Sequence, residues 1–150
     1  MDRAVRLLAA KPRAVEELRE RLLEKAYTNA EIVDTVIDKL KEYGYLNDPQ
    51  YALDTALSKL RQRPQGRRKL EQSMSRKQLD RGTMVEAVDK AFAEIPEDQL
   101  IDAAIAKRLR LKGRPETRED TKKFLDYLLR QGFGYDLIRE KMSQLADIDP

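Results

Sequence analysis

The stretch TNAEIVDTVIDKLKEYG, residues 28–44, decides the fold. Its apolar residues Ile32, Val33, Val36, Ile37 and Leu40 recur at intervals of three and four, which puts them on one face of an α-helix and rules out a strand. Thr28 with Glu31 three positions later is the pattern of a capping box, in which side chains satisfy the amide donors that a helix start leaves unpaired. Gly44 supplies a stop, because a helix often ends in the left-handed conformation that glycine takes without strain. Asp48 followed by Pro49 then opens a further helix, with an acceptor at the cap and a first-turn proline that sacrifices no internal hydrogen bond.

Outward from this helix the pattern recurs. Aligning Ala26, Gly82 and Gly132 as the ends of equivalent helices brings Leu18, Met74 and Phe124 into one column and Leu23, Leu79 and Leu129 into another. Downstream the same register aligns Ile32, Val88 and Ile138, and then Val36, Phe92 and Met142. Self-similarity at this period is the mark of a repeat protein. Each copy reads as three helices, with a proline between the first and second: Pro12, Pro64 and Pro115. The spacing predicts helices over 2–10, 14–25, 29–43, 49–61, 66–81, 83–94, 97–111, 117–131 and 135–145. The expected fold is therefore all-α, with three tandem three-helix repeats at 1–48, 49–95 and 96–150. Each repeat alone leaves part of its apolar stripe uncovered, so stacking neighbours should give an elongated, curved helical body.

Composition agrees. Charged residues make up 38% of the 150 and hydrophobic ones 41%, leaving little material for one spherical core. There is no cysteine and no histidine. That removes disulfides, thiolate nucleophiles, imidazole bases and ordinary zinc sites. No apolar run approaches the roughly 20 residues of a membrane span, and residues 1–10 do not form a signal peptide, so a cytoplasmic location is expected. Carboxylate pairs such as Glu16 with Glu20, or Glu119 with Asp120, have nothing converging on them that would make an acid and base or a magnesium site. The run Gly66-Arg67-Arg68-Lys69 lacks the spacing and the hydroxyl residue of a nucleotide-binding loop. No catalytic residue, cofactor or metal is expected, and the chain reads as a non-enzyme.

Charge is informative in its placement. The net charge is only +3, yet residues 49–95 carry 10 basic and 6 acidic residues while the flanking thirds are nearly balanced. Between Lys59 and Arg81 nine basic residues face only Glu71 and Asp80, too lopsided for neutralising pairs along helix faces. Such patches attract nucleic acid or an acidic protein surface. The contact candidates here are Arg61, Arg63, Arg67, Arg68, Lys69 and Arg76, with Arg63, Arg67 and Arg68 foremost because they flank a Pro-Gly loop. A second basic run supplies Arg108, Arg110, Lys112 and Arg114, although cations at a helix C-terminus also arise from the helix dipole alone. Tyr43, Tyr45 and Tyr51 surround a helix-end glycine, which points to packing between repeats in preference to base stacking.

The segment Gly44-Tyr45-Leu46-Asn47-Asp48 with Tyr51-Ala52 resembles a motif of the RecX family. Further matches are Leu128-Leu129-Arg130-Gln131-Gly132-Phe133 leading to Ile138, Glu17-Leu18 with Leu22-Leu23 and Lys25, and Gly66-Arg67-Arg68-Lys69-Leu70. The likeness covers about Arg3 to Met142 and agrees with the three-repeat organisation. It implies a regulatory protein that binds the filament of the RecA recombinase on single-stranded DNA and restrains its ATP hydrolysis, strand exchange and coprotease activity. The resemblance also connects the chain to homologous recombination, DNA repair and the SOS response. Direct binding of single-stranded DNA, in competition with RecA, is the alternative. No membrane partner is expected, and a monomer is, since no long apolar stripe is left over to demand a dimer.

Overall fold

A computed structural model describes residues 1–25 and 28–147. Among these, the chain forms nine helices: α1 (Asp2–Ala10), α2 (Val15–Leu23), α3 (Ala30–Glu42), α4 (Asp48–Gln62), α5 (Arg67–Met74), α6 (Arg81–Glu94), α7 (Glu97–Lys112), α8 (Arg118–Arg130) and α9 (Tyr135–Asp147). Pro12, Pro64 and Pro115 each lie in the loop between the first and second helices of their unit. The described residues contain no strand.

Two hydrophobic cores hold these helices. Ala4, Leu18, Leu22, Val33, Ile37, Leu40 and Leu46 bury one another in the first unit. The second and third units share a larger core, in which Leu60, Leu70, Met74, Val88, Ile101, Phe124, Leu128, Phe133 and Ile138 are among the buried residues. The accessible surface is 9839 Å². A compact monomer of 17.4 kDa would expose about 7,900 Å². The excess is what an extended stack of small units requires.

Local chemistry differs from the sequence-based expectations at several helix ends. The N-cap of α3 is Asn29, whose side chain accepts from the Ile32 amide, so Thr28 is not the capping residue. Ile32 consequently stands at the outer edge of the stripe and is half-exposed, while Val33, Ile37 and Leu40 face the core. Asn47 caps α4 by accepting from the Gln50 amide. That frees Asp48, whose carboxylate accepts from the Val15 amide at 3.0 Å. The first turn of α2 follows Ala14, which has no side-chain acceptor, and it is therefore capped by a residue at the start of α4.

The largest departure is in the middle unit. The spacing predicts a helix over 66–81, but α5 ends at Met74, Gln78 takes a positive φ of 54°, and Asp80 caps α6 by accepting from the Gly82 and Thr83 amides. Gly82 therefore lies in the first turn of a helix and does not end one. Burial pairs Leu18 with Leu22, Leu70 with Met74, and Phe124 with Leu128. The middle copy thus belongs one helical turn away from the register chosen on sequence. Leu79 misled that choice because it packs on the core from the loop. Gln78 and Gly132 are the true equivalents, each four residues past a buried helix residue and each at positive φ. Ala26, the anchor in the first copy, lies outside the described residues.

The second and third units meet through their backbones. The Gly66 amide donates to the Gln131 carbonyl at 2.8 Å and the Arg68 amide to the Gly132 carbonyl at 3.3 Å. A Cβ placed on Gly66 would lie 2.5 Å from the Gly132 carbonyl carbon and oxygen and 2.6 Å from the Phe133 nitrogen. Glycine is needed at Gly66 for this approach, not for its own dihedral angles, which are extended.

Candidate interaction surfaces

The basic residues named on sequence separate into those engaged within the protein and those left facing solvent. Arg67 belongs to the first kind: its Nε lies 2.9 Å from Glu71, and a terminal nitrogen bonds Asp89 on α6. Both carboxylates hold its guanidinium above the ordinary arginine value, Asp89 most strongly. Arg68 donates to the Leu129 carbonyl at 3.2 Å and Lys69 to the Gln131 side-chain oxygen at 2.9 Å, so both tie α5 to the end of α8. Arg61 pairs loosely with Glu94 at 3.7 Å.

Around this seam Arg63 stands exposed at the end of α4. Its loop is fixed by the buried Gln65 side chain, which donates to the Lys59 and Arg63 carbonyls. Partial burial lowers the Lys69 pKa, and the nearby Arg63 and Lys107 charges lower it further. Three cations from α4, α5 and α7 thus share one face at the joint of the second and third units.

In the later basic run, the guanidinium of Arg108 lies 4.9 Å from the centre of the Tyr127 ring, a cation–π contact. Its Nε is buried without a hydrogen-bond partner among the described residues. Arg114 donates to the Leu145 carbonyl at 2.7 Å. Arg110 and Lys112 are exposed on the last turn of α7. Arg108, Lys112 and Arg114 line a small cleft together with Lys123 and Asp120.

A third grouping was not singled out from the sequence. Arg76 meets Lys59 and Lys77 at a groove of about 890 Å³ between the first and second units. Burial depresses the Lys59 pKa, and the charges of Lys77 and Arg76 depress it further. Lys59 closes α4 and the other two lie in the α5–α6 loop, so only the fold brings them together. The recurring basic residues were visible, but their meeting was not. Tyr43 and Tyr45 also differ from expectation. They are 62% and 64% exposed and meet edge to face with ring centres 6.4 Å apart, so they do not pack between repeats. Tyr51 is the one of the three that is partly buried.

Among the described residues, nine helices in three-helix units, joined at basic seams, define an all-α repeat protein. Family models described as the first and the third three-helix domains of RecX match residues 1–45 and 96–142. Regulatory protein RecX of Chlorobium limicola is 30% identical over 148 residues, covering 98% of this chain and 89% of the relative. The Vibrio vulnificus regulatory protein RecX is 32% identical over 152 residues, covering 97% and 92%. The crystal structure of RecX from Lactobacillus salivarius superposes with a TM-score of 0.84 over 97% of this chain and 93% of that one, at 19% identity, which supports the fold. The chain belongs to the RecX family, whose members found here carry the name of regulatory proteins. No helix among the described residues is long and apolar enough to cross a membrane.

Proposed function

We propose that this chain binds the RecA filament on single-stranded DNA and modulates it, mainly by inhibiting its ATPase, recombinase and coprotease activities. The observation that carries this reading is membership of the RecX family along nearly the full chain, in register with the repeat fold. Extended repeat proteins bind over several units at once, so affinity is cumulative. In this reading the units divide at about residues 48 and 95, the protein acts as a cytoplasmic monomer in DNA repair, and Arg63, Arg76, Arg110 and Lys112 are the candidate contacts whose charges no ion pair among the described residues consumes. Arg67, Arg68 and Lys69 serve the internal seams first.

A second reading, direct binding of single-stranded DNA in competition with RecA, draws its support from the cations of Lys59, Arg76 and Lys77 at an open groove. Single-strand-dependent ATP hydrolysis by the cognate RecA separates the two. Loss of hydrolysis when this protein is present at far less than one copy per RecA, with DNA in excess, supports action on the filament. Inhibition that needs near-stoichiometric protein and vanishes with added DNA supports competition. No effect at any ratio would defeat both.

A further inference from the structure

We propose that the groove between the first and second units, continued past Tyr51 to the Tyr43–Tyr45 pair, is a track for single-stranded nucleic acid, with phosphates on Lys59, Arg76 and Lys77 and bases on the two exposed rings. This deepens the direct-contact reading above and does not depend on a RecA filament.

Three observations converge on it. Lys59, Arg76 and Lys77 line one groove, and among the described residues none has a carboxylate within ion-pairing distance. Like charges held together at a partly desolvated position destabilise the empty protein, and an anion relieves the repulsion. Burial depresses the Lys59 ammonium first, and the charges of Lys77 and Arg76 depress it further. The carboxylates on the groove are already engaged: Glu17 is held by Lys11 at 3.6 Å and Arg13 at 3.0 Å, and Asp54 accepts from the Gln50 side chain at 2.8 Å.

The second observation is continuity. A neighbouring cleft of about 410 Å³ contains Tyr45 and shares Pro12, Tyr51 and Asp54 with the basic groove, so the two adjoin at these residues. The third is the exposed aromatic pair itself, which contributes little to either core. A basic groove beside free aromatic faces is the combination by which proteins hold single strands without sequence preference. An acidic peptide would use the cations but leave the rings without a role.

The test is fluorescence anisotropy of a fluorescein-labelled oligodeoxythymidylate with the full chain, without RecA, across a salt series. Three phosphate contacts on a single strand contribute about −2 to the slope of log K against log salt. The combined substitution Lys59→Gln, Arg76→Gln and Lys77→Gln should remove that part of the slope with helical circular dichroism unchanged. Tyr43→Ala with Tyr45→Ala should weaken binding by roughly thirtyfold or more at unaltered slope. Tyr43→Phe with Tyr45→Phe should retain it, since the ring face is kept. No binding of the oligonucleotide at low salt, or an unchanged slope in the Gln variant, would overturn the proposal. So would capture of polyglutamate in place of the oligonucleotide, which would assign the groove to an acidic protein segment. Absence of oligonucleotide binding by the unaltered chain while it still inhibits RecA would sink the track and leave the filament reading standing.

Discussion

Replacing Gly66 with alanine should unfasten the second unit from the third. The substitution meets no dihedral penalty, because the backbone there is extended, so its effect is steric. The new methyl would sit 2.5 Å from the Gly132 carbonyl, and ordinary carbon contacts begin at about 3.5 Å. The start of α5 and the α8–α9 turn must therefore part by about 1 Å. That opening stretches the Gly66–Gln131 backbone bond from 2.8 Å and the Arg68–Gly132 bond from 3.3 Å beyond useful length. Two such bonds contribute about 2 kcal/mol net, and forcing a methyl into a packed seam costs about 1–3 kcal/mol more. The smaller conformational freedom of alanine in the unfolded chain returns about 0.4–1 kcal/mol. The expected net loss is about 2–5 kcal/mol. Urea denaturation measures it, and hydrogen exchange locates it: amides at 66 and 68 should lose protection while those of the separate first core keep theirs. A loss under about 1 kcal/mol with both amides still protected would show that the glycine contact is not what joins these units.

Asn29→Ala should cost about 1 kcal/mol of stability, the usual worth of a cap, and Thr28→Ala little, as read by thermal denaturation; the reverse order would restore the capping box expected from sequence. Arg67→Ala should lower stability by up to about 1 kcal/mol, and a double-mutant cycle with Asp89→Asn should show coupling, while binding to RecA filaments or oligonucleotide changes little. Lys141 bridges Asp98 at 2.9 Å and Asp102 at 3.0 Å, and these bonds raise its pKa above the ordinary 10.5. A raised lysine stabilises the fold fully below its unfolded value and ceases to do so as pH rises through the folded one. The stability difference between the wild type and Lys141→Met should therefore be constant near neutrality and shrink only above about pH 10.5.

The nine helices of the described residues were legible because apolar spacing, loop prolines and Gly44 all carry local signals. Residues whose role is set by a distant partner were not. Asp48 stands where a cap for its own helix belongs, and nothing nearby in sequence says that it serves Val15. Leu79 has the spacing of a helix residue and packs, partly buried, against the core, yet it occupies a loop, so spacing alone places the middle copy one turn out of register. The same limit applies to the candidate surface. Basic enrichment between Lys59 and Arg81 was plain from composition, but which cations would be consumed by Asp89, Leu129 and Gln131 depends on the packing of α5 against α6 and α8. The tyrosines around Gly44 were expected to pack between repeats, but a helix-end position does not fix which way a ring turns, and Tyr43 and Tyr45 turn outward.

The acceptor for the first amide of α2 is thirty-three residues further along the chain, at Asp48. A ribosome adding about 5–20 residues per second delivers that carboxylate roughly two to seven seconds after Val15. The first unit consequently spends the opening seconds of its existence with one helix end unfinished, and it is completed only when the second unit begins to emerge. The Gly66 contact imposes a similar delay, since its acceptor at Gln131 is made still later. Neither joint can close before the later of its two partners has been made, so the order of synthesis is also the earliest order of sealing.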